Sequence, residues 1–145
     1  RLKFSSGMGV DISKKAISIA RMNAKNHQLL HRVQLINKPF EKIHNKRFDV
    51  IVSNPPYIDI TEIHNLDHTV RYYDPINALT DHGNGLSFYH KIFHLSESIL
   101  NPEGSIILEF GNDQQINSIL TIFKDFKYTL YKDQSNSYRA IEFTR

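Results

Sequence analysis

Asn54-Pro55-Pro56-Tyr57 is the stretch of this chain whose residue types and spacing could do chemistry. An amide or exocyclic amine is a poor nucleophile, because its nitrogen lone pair is delocalised. Two acceptors, the Asn54 side-chain oxygen and the Pro55 backbone carbonyl, could take the two N–H hydrogens of a planar NH2 group. They would aim its lone pair at an incoming electrophile and stabilise positive charge developing on nitrogen. The prolines keep the backbone stiff, and Tyr57 offers a ring face for a planar group. The plainer role for these residues is to end a strand, since neither proline can donate to a ladder.

The elements that must position this segment follow from hydrophobic spacing. Phe48-Asp49-Val50-Ile51-Val52-Ser53 reads as a strand, and its β-branched run suits burial on both faces. In an open α/β sheet, ligands bind outside the carboxyl ends of strands, which is where Asn54 lies. Met8-Gly9-Val10-Asp11-Ile12 reads as the end of another short strand. Ser13 is a good N-cap, and Ala16, Ile17, Ile19, Ala20 and Ala24 form an apolar stripe on a helix of about 14–28. Val33-Gln34-Leu35-Ile36 is the next strand. Residues 58–85 read as a long polar and aromatic loop, a length usual for a lid or binding loop. An amphipathic helix over 86–100, a turn at 101–104, a buried strand at 105–110 and a helix over 114–123 come next. Segments 128–132 and 139–143 form a closing hairpin. Strands separated by helices predict a mainly parallel, doubly wound α/β sheet with no domain linker.

Asn54-Pro55-Pro56-Tyr57 behind such a strand resembles the amino-methyltransferases that use S-adenosylmethionine. Within them the chain is similar to the HemK-type family, which methylates the side-chain amide of a glutamine in peptide-chain release factors. The narrower likeness rests on Val10-Asp11-Ile12-Ser13 with Ala16 and Ala20-Arg21-Met22-Asn23-Ala24, and on Val70-Arg71-Tyr72-Tyr73-Asp74-Pro75 with Ala78-Leu79, Gly85-Leu86 and Tyr89. It rests equally on Leu100-Asn101-Pro102-Glu103-Gly104, Leu108-Glu109-Phe110-Gly111, Gln114, and Lys132-Asp133 with Arg139.

The resemblance implies a Rossmann-like class I S-adenosylmethionine-dependent methyltransferase sheet, incomplete at its N-terminal end and closed by a C-terminal antiparallel hairpin. It makes Asn54, Pro55, Pro56 and Tyr57 the catalytic residues, and Asp11, Pro39, Phe40 and Asn54 the cofactor-binding ones. Asp11 would accept hydrogen bonds from the ribose hydroxyls. The family's acid-plus-aromatic pair beside adenine aligns with Pro39 and Phe40, so the aromatic is kept and the acid is lost; Phe40 reads equally well as a plain core residue. The family's first strand, its glycine-rich loop and its N-terminal helical domain have no counterpart. Ser5-Ser6-Gly7-Met8-Gly9 would bury its glycines in a strand. With Arg1 in place of an initiator methionine, this leads to the expectation of a partial catalytic domain from inside a longer parent, unable to bind S-adenosylmethionine alone.

Composition narrows the rest. The chain has 145 residues and no cysteine, which excludes a disulfide framework, a zinc ribbon and a thiol nucleophile. A net charge of +3 and a pI near 9.1 are compatible with an acidic partner such as RNA but fall short of a nucleic-acid footprint. An adenine N6-methyltransferase acting on DNA or rRNA therefore stands as the less favoured alternative, beside a non-catalytic remnant. No apolar stretch approaches the ~20 residues of a membrane span, and no signal peptide is visible, so the expected location is the cytoplasm, with no membrane partner. His27/His31, His64/His68 and His90/His94 are each four apart, but none adjoins a glutamate in a His-Glu-x-x-His pattern; they read as solvated or packed, and no metal is expected.

Overall fold

Ser13 starts the first helix as its residue type predicts. Its backbone is extended, and its Oγ accepts the Ala16 N–H at 3.2 Å. Helix α1 (Lys14–Asn26) buries Ile17 and Ala24 and packs on two parallel strands, β1 (Gly7–Asp11) and β2 (Val33–Asn37). Their register runs from Gly7 opposite Val33 to Asp11 opposite Asn37. These elements form one compact unit of the chain, up to His44, and a second unit begins at Asn45. The structure, a computed structural model, describes residues 4–145.

The second unit carries a four-stranded sheet in the order β3-β4-β6-β5. Strand β3 (Phe48–Ser53) runs parallel to β4 (Leu100–Glu109), while β5 (Lys127–Lys132) and β6 (Tyr138–Thr144) form the antiparallel hairpin. One face of this sheet is the core. Ile106 and Leu108 of β4 stand opposite Phe143 and Ile141 of β6, and all four are fully buried. Helix α4 (Ser87–Ile99) closes over them with Tyr89, Ile92 and Ile99. Phe93 meets Phe123 edge-on, just past α5 (Ile116–Ile122), and Phe123 stacks on Phe143 with centroids 4.2 Å apart.

Three sequence expectations change here. Val50 and Val52 are 50% and 72% exposed, so β3 is not buried on both faces. They share the face opposite the core, which neither α4 nor α5 covers. The turn at 101–104 is absorbed into β4 as a bulge: Phe48 pairs with Leu100 and Val50 already with Ser105. A bulge tolerates Pro102, whose missing N–H would break a regular ladder.

Residues 58–85, finally, are not structureless. A 3-10 segment (Ile60–Asn65), α2 (His68–Tyr73) and α3 (Ile76–Leu79) occupy them. Asp59 and Asp67 start the first two by accepting the N–H groups of Thr61 and Thr69, each at 2.8 Å. Pro75 precedes the third with its φ near −61°.

Candidate active site

Strand β3 delivers Asn54 to the carboxyl end of the sheet, where Ser53 pairs with Leu108. Asn54 itself is exposed, and its carboxamide makes no hydrogen bond among the described residues. The next residue is its opposite: Pro55 is buried, and Pro56 and Tyr57 are half-buried. An uncommitted amide thus stands on a backbone that has few ways to move, because both prolines fix φ.

Tyr57 is held along its whole length. Its ring edge lies on Gly111, where an added Cβ would come within 2.9 Å of Cδ2. Its carbonyl abuts Gly85, whose φ of +75° is a left-handed conformation and whose Cβ, if present, would sit 2.0 Å from that oxygen. Its hydroxyl lies near the Glu109 carboxylate. Burial first, and then that carboxylate's charge, raise the phenol's pKa above the ordinary tyrosine range, while Arg139 pulls the other way. Tyr89 donates from its hydroxyl to the Glu109 carbonyl at 2.8 Å, and burial pushes its pKa up further. Arg139 donates to the carbonyls of Phe110 and Gly111 and pairs with Asp133 at 3.3 Å. The end of β4 is therefore gripped by side chains from α4 and β6.

The loop under Tyr57 is organised by one carboxylate. Asp81 accepts the N–H groups of Gly83 at 2.8 Å, Gly85 at 3.0 Å and Ser87 at 2.9 Å. Burial works against that charge, but the bonds from Ser87, Gly83 and Gly85 outweigh it and hold the pKa down at about 2. The same loop ties back to the segment after Tyr57, with Ile58 N–H on Leu79 O and Ile60 N–H on Gly83 O, both at 2.9 Å.

In the first unit, Asp11 ends β1 with an exposed carboxylate. Its Oδ1 accepts Ser13 N–H at 2.7 Å. Asn37, opposite it on β2, donates from Nδ2 to the carbonyls of Asp11 and Ile12 at 2.9 and 2.8 Å, which fixes the bend where the chain leaves β1. Pro39 is exposed and Phe40, half-buried, opens a short 3-10 turn (Phe40–Lys42). An exposed carboxylate at a strand end and a flat apolar ring suit the hydroxyls and base of a nucleoside.

Each unit thus gathers its own candidates at its strands' carboxyl ends: Asp11 and Asn37 in the first, Asn54 to Tyr57 with Glu109 and Gly111 in the second. Reading the sequence missed Asn37 and Gln115, whose partners only folding brings close, and Asp81, whose partners all lie within six residues of it. Among the described residues, no cluster of three or more side chains could hold a metal, and no helix is long and apolar enough to cross a membrane.

Known proteins give these positions a context. The family model described as RMKL-like, methyltransferase domain, matches residues 2–68. A release factor glutamine methyltransferase of Clostridium acetobutylicum is 39% identical over 117 residues, 76% of this chain and 40% of its own length. A bifunctional methyltransferase of Rickettsia typhi is 36% identical over 142 residues, 95% of this chain and 27% of its own. A ribosomal protein uL3 glutamine methyltransferase of Francisella tularensis is 35% identical across 83% of this chain and 38% of its own. The chain thus spans well under half the length of these relatives.

Among solved structures, a methyltransferase from Pyrococcus furiosus superposes with a TM-score of 0.70 at 19% identity, covering 98% of this chain and 64% of that one. The hMettl16 catalytic domain, solved with an RNA hairpin, gives 0.72 at 15% identity over 99% and 56%. Family and fold together imply use of S-adenosylmethionine. The chain shares the class I methyltransferase fold and is, by sequence, a relative of the HemK-type glutamine methyltransferases.

Proposed function

We propose that the whole protein methylates the side-chain amide nitrogen of a glutamine in a protein of the translation apparatus, a peptide-chain release factor in the first place. This chain would be the C-terminal part of its catalytic domain. The observation that carries the reading is the Asn54 carboxamide, exposed and uncommitted on a backbone fixed at every following residue. Relatives that align with 76% and 83% of the chain are named as glutamine methyltransferases, which supports the amide as acceptor. S-adenosylmethionine, when bound, supplies an electrophilic methyl group.

The chain's own residues then have distinct tasks. Asn54 Oδ1 and the Pro55 carbonyl accept the two N–H groups of the substrate amide and hold its plane. Their partial negative charge matters most when the nitrogen becomes cationic, so they act on turnover more than on binding. No base is required in advance, since the amide proton becomes acidic only once nitrogen carries that charge. Tyr57 packs beside the amide with the ring surface that Gly111 leaves open. Asp11 would hold the ribose hydroxyls and Phe40 the adenine, with Pro39 contributing no charge beside it. A substrate of this kind places the reaction in the cytoplasm.

Methylation with labelled S-adenosylmethionine tests the reading, using the whole protein with a release factor, the same factor with its acceptor glutamine changed to alanine, and rRNA and DNA. Label on the intact factor that vanishes in the alanine variant is the expected result. Label persisting in that variant, or appearing on nucleic acid alone, overturns it.

A further inference from the structure

We propose that Gln115 is a positioning residue for the Asn54–Tyr57 loop, acting through the carbonyl of Tyr57; this rests on the reading of that loop as the amide-orienting site. Both ends of the half-buried Gln115 carboxamide are committed. Oε1 accepts Gly111 N–H at 2.9 Å, and Nε2 donates to Tyr57 O at 2.8 Å, across 58 residues of sequence. Only a carboxamide on a stem of this length can accept from one and donate to the other. Glutamate keeps the acceptor but sets an oxygen against the Tyr57 oxygen, and methionine keeps the volume but neither bond.

The bond falls on a sensitive peptide group. Tyr57 C=O and Ile58 N–H belong to one plane, and the structure holds both ends: the oxygen by Gln115, the N–H by Leu79 O at 2.9 Å. Gly85 blocks the carbonyl on a further side. Two prolines lie between that plane and Asn54, so few free torsions remain to absorb a tilt, and a tilt at Tyr57 is passed back to the acceptors. Gln115 is itself well anchored. It ends the 3-10 turn Asp113–Gln115, which Asn112 caps by accepting Gln114 N–H at 3.0 Å. The neighbouring Gly111 carbonyl is held by Arg139.

Gln115→Glu and Gln115→Met in the whole protein test this, with Asn54→Ala alongside. A misplaced reacting group can lower turnover by about 10²-fold. Both Gln115 variants should therefore lose about tenfold or more in kcat, while KM for S-adenosylmethionine stays within about twofold. Hydrogen exchange at the Ile58 amide should quicken about tenfold, with the Ile141 amide unchanged as a control for the intact core.

Wild-type kcat in Gln115→Glu, a rise in KM alone, or unaltered Ile58 exchange overturns the proposal. If Asn54→Ala also leaves turnover unchanged, the amide-orienting reading fails instead, and Ile58 exchange still decides the tether. Should Gln115→Met not fold, Gln115→Glu, which keeps the Gly111 bond, carries the test.

Discussion

The two units of the chain solve the same problem, holding a polar residue at a strand end, by different means. The unit from Asn45 onward has a true core: Tyr89, Phe110, Phe123, Phe143, Leu100, Ile106, Leu108, Ile119 and Ile141 are all fully buried. Among the described residues, the unit up to His44 buries only Ile17, Ala24 and Ile43, none of them completely. One helix on two strands offers little more, since a two-stranded sheet is marginal by itself. Asp11 is accordingly fixed by local hydrogen bonds from Ser13 and Asn37, whereas Tyr57 is fixed by packing against glycines, a carboxylate and a distant glutamine. Under the proposed function, the residue whose task demands geometry stands on the well-packed unit, and the one that has only to meet hydroxyl groups stands on the sparse one.

Phe143→Ala is expected to produce the largest change, a loss of about 3–5 kcal/mol in urea unfolding, because it opens a hole beneath stacked Phe123. Ile17→Ala should cost about 2 kcal/mol, the lower end for a buried isoleucine, because its surroundings can close in. Equal costs for the two would erase the difference between the units.

Asp81→Ala leaves three backbone N–H groups without their acceptor and should cost about 1–3 kcal/mol at neutral pH. Its folded pKa of about 2 lies below the 3.8 of an ordinary aspartate, so the wild-type contribution is complete above that value. It is lost as pH falls from about 4 through about 2. Unfolding followed across that window should show a shallower acid slope in Asp81→Ala; an unchanged slope would mean the carboxylate does not organise this loop.

Much of this was legible in the residues, for identifiable reasons. Asn54-Pro55-Pro56 stops β3 where it does because prolines cannot continue a ladder, so that boundary matches. Ser13 announced α1 through cap chemistry that needs only local sequence. The segment from 58 to 85 was illegible because α2 and α3 are too short for a hydrophobic period to show. Burial of Val50 and Val52 was misread because a β-branched run records what a strand can tolerate, not which of its faces the chain covers. Within the candidate site, Asn54 and Tyr57 stood out by type and spacing. Gln115 carried no such mark, since its partner lies 58 residues away and only the folded sheet brings the two together.

The central claim is that Asn54 acts on the reacting amide, and kinetics of Asn54→Ala in the whole protein test it most directly. Turnover should fall about 10²-fold, the size found for single preorganised polar groups, while S-adenosylmethionine affinity by calorimetry stays within about twofold of wild type. Unchanged turnover, or a loss of cofactor affinity that accounts for the whole effect, would contradict the claim and leave Asn54-Pro55-Pro56-Tyr57 as the end of a strand.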